Sequence, residues 1–287
     1  MKKVIGFFFV ILGVLLIVST TPTFFSNEKE AAGQQEVAEE MKGLETITLS
    51  SGSSDWVIET YEGNEVTAFI DDNKKSLQFK RSGSHLSIDV KEKRLNWLSF
   101  QLFSKGTSVT LKIPKEYEQK LELKTISGDV LLNENLHIQE LVLKTVSGDI
   151  KSQLLTVSEL NIVTTSGDLI TEEVISEQTT LKTVSGDIKV SSMVGELDAN
   201  TVSGDMFIEF AHENEEVTLN TTSGDILMVI PNGNATLTLN TTSGDFLVEP
   251  ALSEQSNQKR ELSGKIGEGK YKVNVKSISG DIIIRGA

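Results

Sequence analysis

The tripeptide Ser-Gly-Asp occurs eight times in this sequence, and every copy brings a hydroxyl group beside a carboxylate. A serine nucleophile also needs a general base beside it. The chain has three histidines, His85, His137 and His212, and these cannot serve eight copies. We therefore expect no catalytic residues and no enzyme activity. A β-helix carbohydrate-active enzyme is the less favoured alternative. Its site would be one local, unrepeated cluster of carboxylates and basic groups, and the sequence shows no such cluster.

The repeated aspartates could instead bind a cation or another ligand. If the copies stack in register, like charges lie about 5 Å apart, which is destabilising unless each carboxylate is hydrogen-bonded or paired. We favour a structural role in which each aspartate caps its own turn, with Lys124, Lys144, Lys182 and Lys276 compensating the charge, and we expect no metal or other cofactor. The repeated residues are Gly128, Gly148, Gly167, Gly186, Gly204, Gly224, Gly244 and Gly280, followed by Asp129, Asp149, Asp168, Asp187, Asp205, Asp225, Asp245 and Asp281.

The composition of the 287-residue chain excludes several classes of protein. Without cysteine it can hold no disulfide, thiolate metal site or cysteine nucleophile. The net charge of -14, from 27 basic and 41 acidic residues, argues against nucleic acid as a partner. An apolar content of 38% is enough to form a sizeable core.

The spacing of the repeats predicts the elements that position these residues. Their glycines recur at intervals of 20, 19, 19, 18, 20, 20 and 36 residues, and apolar residues alternate on both sides, as Leu121, Leu123 and Val130 do around Gly128. Each repeat is therefore predicted to be a strand, a sharp bend and a strand. Stacked repeats give an all-β, single-stranded, β-helix-like solenoid of about 20-residue coils over residues 116–287.

Three finer expectations concern this solenoid. The threonines three positions before each glycine are expected to hydrogen-bond from coil to coil. Ser263-Gly264-Lys265, inside the interval of 36 residues, is interpreted as a degenerate ninth coil. The last coil would have an open edge, so we expect residues 253–270 or a partner subunit to cover it.

Residues 45–115 contain short alternating segments without the repeat and are predicted to be a β-rich lead-in and cap of the solenoid. Gly52 and Gly83, each within Ser-Gly-Ser, are interpreted as degenerate corners. An aromatic cluster of Trp97, Phe100 and Phe103 is a candidate partner patch, although packing within the cap is the favoured interpretation.

The N-terminus predicts the location of the protein. Lys2 and Lys3 precede an apolar stretch, and residues 1–25 are interpreted as a transmembrane signal-anchor helix, with a cleaved signal as the less favoured alternative. The positive-inside rule then places the N-terminus in the cytoplasm, residues 4–25 in the membrane and the remainder outside the cell. The polar residues 26–44 are predicted to form an acidic tether.

The order of anchor, β-rich lead-in and Thr-x-Ser-Gly-Asp-apolar copies resembles the bacterial "putative adhesin" family of unknown function, and in particular its LiaG-like members in Gram-positive cell envelopes. The resemblance covers residues 45–287 and the anchor. It implies an extracytoplasmic β-solenoid of the cell envelope, linked to envelope stress, and it supplies no catalytic residues.

Two non-enzymatic functions follow as hypotheses. The favoured one is a membrane-anchored rod that acts as an adhesin or binds wall polymer or an envelope protein through its repeated faces. The alternative is a modulator of another membrane protein, acting through the anchor, the tether or the Trp97 patch. The sequence does not predict an oligomeric state.

Overall fold

The computed structural model describes residues 34–92 and 107–286, and every regular element in these two ranges is a β-strand. No helix in the described ranges is long and apolar enough to span a membrane. The predicted anchor, residues 1–25, and the candidate patch of Trp97, Phe100 and Phe103 lie outside the described residues.

The described strands, in chain order, are β1 (Gln34–Glu40), β2 (Thr46–Tyr61), β3 (Glu65–Asp71), β4 (Lys75–Ser82), β5 (His85–Glu92), β6 (Thr107–Pro114), β7 (Lys120–Ser127), β8 (Val130–Leu132), β9 (Leu136–Lys144), β10 (Ile150–Val163), β11 (Leu169–Lys182), β12 (Ile188–Asn200), β13 (Met206–Phe210), β14 (Val217–Ser223), β15 (Ile226–Val229), β16 (Ala235–Ser243), β17 (Phe246–Val248), β18 (Ser253–Gln258), β19 (Glu261–Ile266), β20 (Tyr271–Ser279) and β21 (Ile282–Arg285).

The strands stack as the parallel coils of an all-β, solenoid-like fold. Strands β10, β11 and β12 pair in parallel, and Ile150 lies beside Leu169, which in turn lies beside Ile188. Alternate residues point inward, so equivalent apolar side chains of successive coils stack into one continuous core. Leu143, Ile162 and Leu181, for example, are completely buried.

The first coil is β2, which has strands on both sides. On one side it pairs in parallel with β7 and β8, and on the other with β5 and β6. Beyond these, the antiparallel strands β4, β3 and β1 close the proximal end of the solenoid. Residues 45–114 therefore supply the first coil and, together with β1, its cap.

Strand β1 corrects the predicted tether. Its seven residues lie within the range 26–44 but pair antiparallel with β3, from Gln34 beside Asp71 to Glu40 beside Glu65. Val37 packs against the core, and the side-chain amide oxygen of Gln35 accepts a hydrogen bond from the Leu77 backbone N–H at 2.8 Å. Of the three inner-facing residues of β1, Gln35, Val37 and Glu39, only Val37 is apolar, so the strand has too weak an alternation to be recognised from the sequence.

The distal end corrects the predicted order of the coils. The last coil, β20 and β21, lies between two earlier coils, because β20 pairs in parallel with β14 on one side and with β16 on the other. Strand β21 likewise lies between β15 and β17. The coil formed by β16 and β17 is therefore the outermost one, although it precedes the last coil in sequence.

The interpretation of Gly264 as a ninth corner is wrong. Gly264 lies in β19, which pairs antiparallel with β16 and forms a hairpin with β18. This hairpin covers the edge of β16, not the C-terminal coil, which is already covered on both sides. The polar sequence of β18, whose six residues are all exposed, could not supply the inward apolar residues of a coil.

Some buried hydroxyl groups in the described core have no hydrogen-bond partner. Replacing such a residue by an apolar one of the same shape is expected to stabilise the protein. Thr171 is 1% exposed and its hydroxyl oxygen is unpartnered, so Thr171→Val should raise the free energy of unfolding by about 1 kcal/mol. Thr241→Val is the matched control, because the Thr241 hydroxyl donates to the Gly280 carbonyl at 3.1 Å and its loss should be destabilising. Urea unfolding of both variants measures the two changes in free energy of unfolding. Equal changes would contradict the conclusion that the Thr171 hydroxyl is unpartnered and the Thr241 hydroxyl is hydrogen-bonded.

Candidate functional site: the corner ridge

The Ser-Gly-Asp corners lie side by side along one edge of the solenoid, and we call this row the corner ridge. Their serines bridge in parallel from coil to coil, as Ser127 does with Ser147. At the distal end Ser279 lies between Ser223 and Ser243. In spatial order the glycines are Gly128, Gly148, Gly167, Gly186, Gly204, Gly224, Gly280 and Gly244.

The ridge begins one corner earlier than the sequence repeat does. Ser53 pairs with Ser127, and the Asp129 backbone N–H donates to the Asp55 carboxylate at 2.9 Å. Ser54 and Asp55 thus hold the glycine and aspartate positions of a first corner. Gly52 lies two residues before this position in β2, and Gly83 lies in the turn between β4 and β5, so neither is the corner that the sequence suggested.

Each glycine of the ridge allows two coils to approach closely. A Cβ atom on Gly167 would lie 2.1 Å from the carbonyl oxygen of Gly148, and Gly167 has a φ of +146°. The same contact recurs along the ridge, from Gly128 against Ser54 to Gly244 against Gly280. Because both the space and the backbone conformation exclude a side chain, only glycine fits these positions.

The aspartates form a ladder between coils. In each step one carboxylate oxygen accepts a hydrogen bond from the backbone N–H of the aspartate in the next coil, as Asp187 does from Asp205 at 2.8 Å. The ladder contains Asp55, Asp129, Asp149, Asp168, Asp187, Asp205, Asp225, Asp281 and Asp245. Each aspartate except the outermost, Asp245, therefore caps the turn of its neighbour and not, as expected, its own.

Towards the distal end the threonines also bond between coils, but to backbone oxygens, whereas the hydroxyl groups of Thr145 and Thr164 have no hydrogen-bond partner. The hydroxyl groups of Thr201 and Thr241 donate to the Gly186 and Gly280 carbonyls at 3.3 and 3.1 Å. Ser277 occupies the threonine position of the last coil and donates to the Gly224 carbonyl at 3.1 Å. These bonds satisfy the carbonyl against which the next glycine packs. The expected contact between hydroxyl groups of neighbouring coils occurs at the first corner, where the Ser51 hydroxyl donates to that of Thr125 at 3.0 Å.

Two of the four lysines expected to neutralise the ridge pair with other carboxylates. Lys124 pairs with Glu122 at 2.8 Å, and Lys182 lies 3.9 Å from Asp198. Among the described residues, the ion pair to a ridge aspartate is made by Lys151, whose ammonium group lies 3.3 Å from the second carboxylate oxygen of Asp149. The backbone N–H donors of the ladder, and not the predicted lysines, stabilise the row of carboxylates.

A buried lysine closes the proximal end of the ridge. Lys75 is 7% exposed, and its ammonium group donates to the Ser54 hydroxyl at 3.0 Å and to the Ser53 carbonyl. This residue could not be singled out from the sequence, because it lies in β4, far from any Ser-Gly-Asp copy. An ammonium group can donate to several oxygens, which suits a corner that lies beside β4 instead of beside another Ser-Gly-Asp corner.

The outer surface of the ridge combines three kinds of side chain. The corner serines are exposed, as are most of the aspartates, among them Asp187, Asp205 and Asp225. Beside them runs a row of β-branched residues two positions before each glycine; Val202 and Ile278 are 46% and 44% exposed. No group of three or more His, Asp or Glu side chains in the described chain is arranged to hold a metal ion.

The aspartate ladder gives a testable effect on stability. Asp187→Ala removes the acceptor of the Asp205 N–H and should lower the free energy of unfolding by about 1 kcal/mol. Asp187→Asn keeps an acceptor oxygen and should cost much less. Denaturant unfolding of both variants tests this; an asparagine variant as unstable as the alanine variant would show that the charge, and not the hydrogen bond, matters.

Comparison with known families identifies the fold. The family model described as Toastrack DUF4097 matches residues 44–285, which include the first coil, the cap strands β3 and β4 and every corner of the ridge. The chain belongs to the Toastrack DUF4097 family. The match begins after β1 and ends with β21, so this Toastrack unit coincides with nearly all of the described solenoid. No curated protein is significantly similar in sequence to this chain.

Solved structures with the same arrangement include a "putative adhesin" from Bacteroides fragilis, which is 14% identical with a TM-score of 0.51 over 88% of this chain and 98% of that one. A "putative lipid binding protein" from Parabacteroides distasonis is 17% identical, with a TM-score of 0.42 over 89% and 96% of the two chains. A "putative adhesin" from Parabacteroides merdae is 11% identical, with a TM-score of 0.38 over 89% and 95%. At these identities the similarity concerns the fold alone.

Proposed function

We propose that this Toastrack protein is a non-enzymatic, LiaG-like component of the bacterial cell envelope, linked to envelope stress. Residues 4–25 anchor it in the membrane with the N-terminus in the cytoplasm, and the solenoid extends outward. There the corner ridge binds wall polymer or an envelope protein, as an adhesin does. The N-terminal charge pattern and the adhesin-like structural relative support this assignment.

The geometry of the corner ridge carries the proposal. Successive corners repeat at about the 4.8 Å spacing of neighbouring strands. At each step one carboxylate oxygen is used in the ladder, while the serine beside it is exposed to solvent. A linear polymer with hydroxyl or cationic groups could contact many such corners at once. Weak contacts repeated along one ligand add up to a high total affinity.

Binding to isolated cell wall tests the function of the ridge. The full chain should be retained on sedimented wall in a saturable way, and replacing Asp187, Asp205 and Asp225 together by asparagine should weaken retention about tenfold, or ~1.4 kcal/mol. Asparagine preserves the hydrogen-bond acceptors of the ladder, so the triple variant should remain folded. No retention, with or without calcium, or equal retention of the variant would refute wall binding by the ridge.

The proposed location has its own test, which uses the absence of natural cysteine. Asn257 lies in the fully exposed strand β18, and an Asn257→Cys variant provides a single reactive thiol. A membrane-impermeant maleimide should label this variant in intact cells. Labelling only after cell lysis would contradict an extracytoplasmic solenoid.

A modulator of another membrane protein remains the second candidate function. An apolar region on the outer surface of the distal coils favours it, because apolar side chains in a row on a protein surface mark interaction sites.

A further inference from the structure

The outer surface of the solenoid carries a row of apolar side chains over the distal coils. The row lies three positions after each corner glycine and consists of Phe207, Leu227, Ile283 and Leu247, which we call the distal apolar column. Register pairs place Phe207 beside Leu227, Leu227 beside Ile283 and Ile283 beside Leu247. The four side chains therefore form one continuous line across four coils.

This column is exposed because alternate residues of the same strands fill the core. Leu247 is 50% exposed and the other three are partly exposed, whereas their neighbours Ile226 and Ile282 are completely buried. The column ends at Lys189, whose ammonium group lies 5.9 Å from the centre of the Phe207 ring. The row is thus confined to the distal half of the solenoid.

The other outer face of the same coils has no such row. The strands that lead into the corners, β12, β14, β20 and β16, present polar side chains to solvent at the positions six and four residues before the corner glycine. At these positions the residues are Asp198, Thr218, Asn274 and Thr238, and then Asn200, Asn220, Lys276 and Asn240. An apolar outer surface is therefore not a general property of these coils, and the distal apolar column needs a separate explanation.

Carboxylates border the column along its whole length. Two residues before each apolar side chain, about 7 Å away along the strand, stand the exposed ridge residues Asp205, Asp225, Asp281 and Asp245. The other border of the column, two residues after each apolar side chain, is mixed. Across the coils it consists of Glu209, Val229, Arg285 and Glu249, and Arg285 pairs with Glu249 at 3.4 Å. An apolar line beside a row of negative charges is complementary to a ligand with an apolar stripe beside positive charges.

From this complementarity we propose that the distal apolar column is a docking site for a cationic amphipathic helix of a partner protein. Side chains of the column repeat at about 4.8 Å, close to the 5.4 Å pitch of an α-helix. An extended strand repeats its same-face side chains at about 6.7 Å and would lose register within four coils. The apolar stripe of the helix covers the column, and its lysines or arginines face the aspartates.

The proposal goes beyond wall binding, because it adds a row of apolar residues to the ridge aspartates and concerns a different class of ligand. The charge of the border also excludes an anionic surface as the occupant. Anionic lipid or polymer would face the row of aspartates directly, and like charges at this distance repel.

A direct binding measurement tests the proposal. The probe is a fluorescent amphipathic helix of about 14 residues, roughly four turns, built from leucine and lysine. The full chain is held in zwitterionic nanodiscs, and the signal from empty nanodiscs is subtracted. The control peptides are a scrambled sequence of the same composition and a version in which glutamate replaces lysine.

Substitutions then locate the site. The double variant Leu227→Thr/Leu247→Thr should weaken binding about tenfold. Leu131→Thr is the matched control, because Leu131 is 36% exposed at the same position of a proximal coil, where Lys151 follows it in place of another apolar residue. Phe207→Thr is a second variant in case the double variant is unstable. A melting curve close to that of the natural chain shows that each variant is folded.

The expected result is saturable binding of the leucine–lysine helix that is lost with the scrambled and glutamate peptides and weakened only by the distal variants. Equal binding of the glutamate peptide would overturn the role of the aspartates. Equal loss of affinity with Leu131→Thr, or none with either distal variant, would overturn the location. Neither result depends on whether the ridge binds wall polymer.

Discussion

Replacing Gly167 by alanine is expected to lower the free energy of unfolding by roughly 3 to 5 kcal/mol. Two costs add at this position. The φ of +146° is unfavourable for any residue with a side chain, and the new Cβ would lie 2.1 Å from the Gly148 carbonyl oxygen. Because that oxygen belongs to the backbone of the corner, between the Ser147–Ser166 bridge and the start of β10, it cannot move away without disturbing the parallel pairing of β10 with β11.

A second glycine of the same chain provides the control. Gly52 lies in β2, and no atom is within 4 Å of the position that its Cβ would occupy. Gly52→Ala should therefore leave stability nearly unchanged. Thermal unfolding followed by circular dichroism compares the two variants. If Gly167→Ala were no less stable than Gly52→Ala, the close approach of the coils at the corner would be refuted.

The second large effect comes from the position of the last coil. Val275 in β20 is 1% exposed, with Leu219 of β14 on one side and Leu239 of β16 on the other. Val275→Asp would place a charge without a partner inside the core and should cost roughly 4 kcal/mol or more. Such a cost is expected only because this C-terminal strand lies between two other coils.

The same change on the outside of the same strand should cost little. Ile278 is 44% exposed, so Ile278→Asp is expected to alter the free energy of unfolding by less than about 0.5 kcal/mol. Urea unfolding of both variants measures the contrast. Similar midpoints would mean that the C-terminal coil is peripheral, as the sequence order alone suggested.

The corner could be predicted from the sequence because its physical requirement recurs at every step. Each glycine must pack against a carbonyl oxygen of the preceding coil, and no other residue meets this requirement, so the glycine recurs at nearly constant spacing. The first corner could not be recognised, because the requirement for glycine does not apply there and Ser54 holds the glycine position. Ser54 opens the ladder beside Lys75 and not beside the glycine of an earlier coil, so it tolerates a side chain.

The order of the distal coils could not be predicted from the repeat. The strands β14, β16 and β20 have the same inward alternation, so any of them can pair with any other in the same register. Local periodicity identifies a coil but not its neighbours. The choice of partner depends on long-range contacts, above all on the β18–β19 hairpin that covers β16.

The candidate site was only partly predictable. The repeated glycines and aspartates pointed to a row along one edge, but the bonds between coils depend on a backbone geometry that spacing alone does not show. The distal apolar column was missed because Phe207, Leu227 and Ile283 alternate with core residues. In sequence they look like uninterrupted apolar strands, in which the inner and outer faces cannot be told apart.

A disulfide cross-link would test the arrangement of the ridge most directly. Thr222 and Ile278 lie side by side on neighbouring coils, since Thr221 pairs with Ser277 and Ser223 with Ser279. Neighbouring strands bring Cα atoms to about 4.8 Å, within the range of a disulfide. In a chain with no natural cysteine, the pair Thr222→Cys/Ile278→Cys should therefore form a cross-link on mild oxidation.

The matched pair is Thr222→Cys/Thr242→Cys. In this fold the last coil separates the two residues, because β20 lies between β14 and β16, and their Cα atoms are about 10 Å apart, too far for a disulfide. Mass spectrometry after oxidation distinguishes the two pairs. A cross-link in the 222/278 pair alone is the predicted result. A cross-link in the 222/242 pair alone would show that the coils stack in sequence order and would contradict the fold described for this protein.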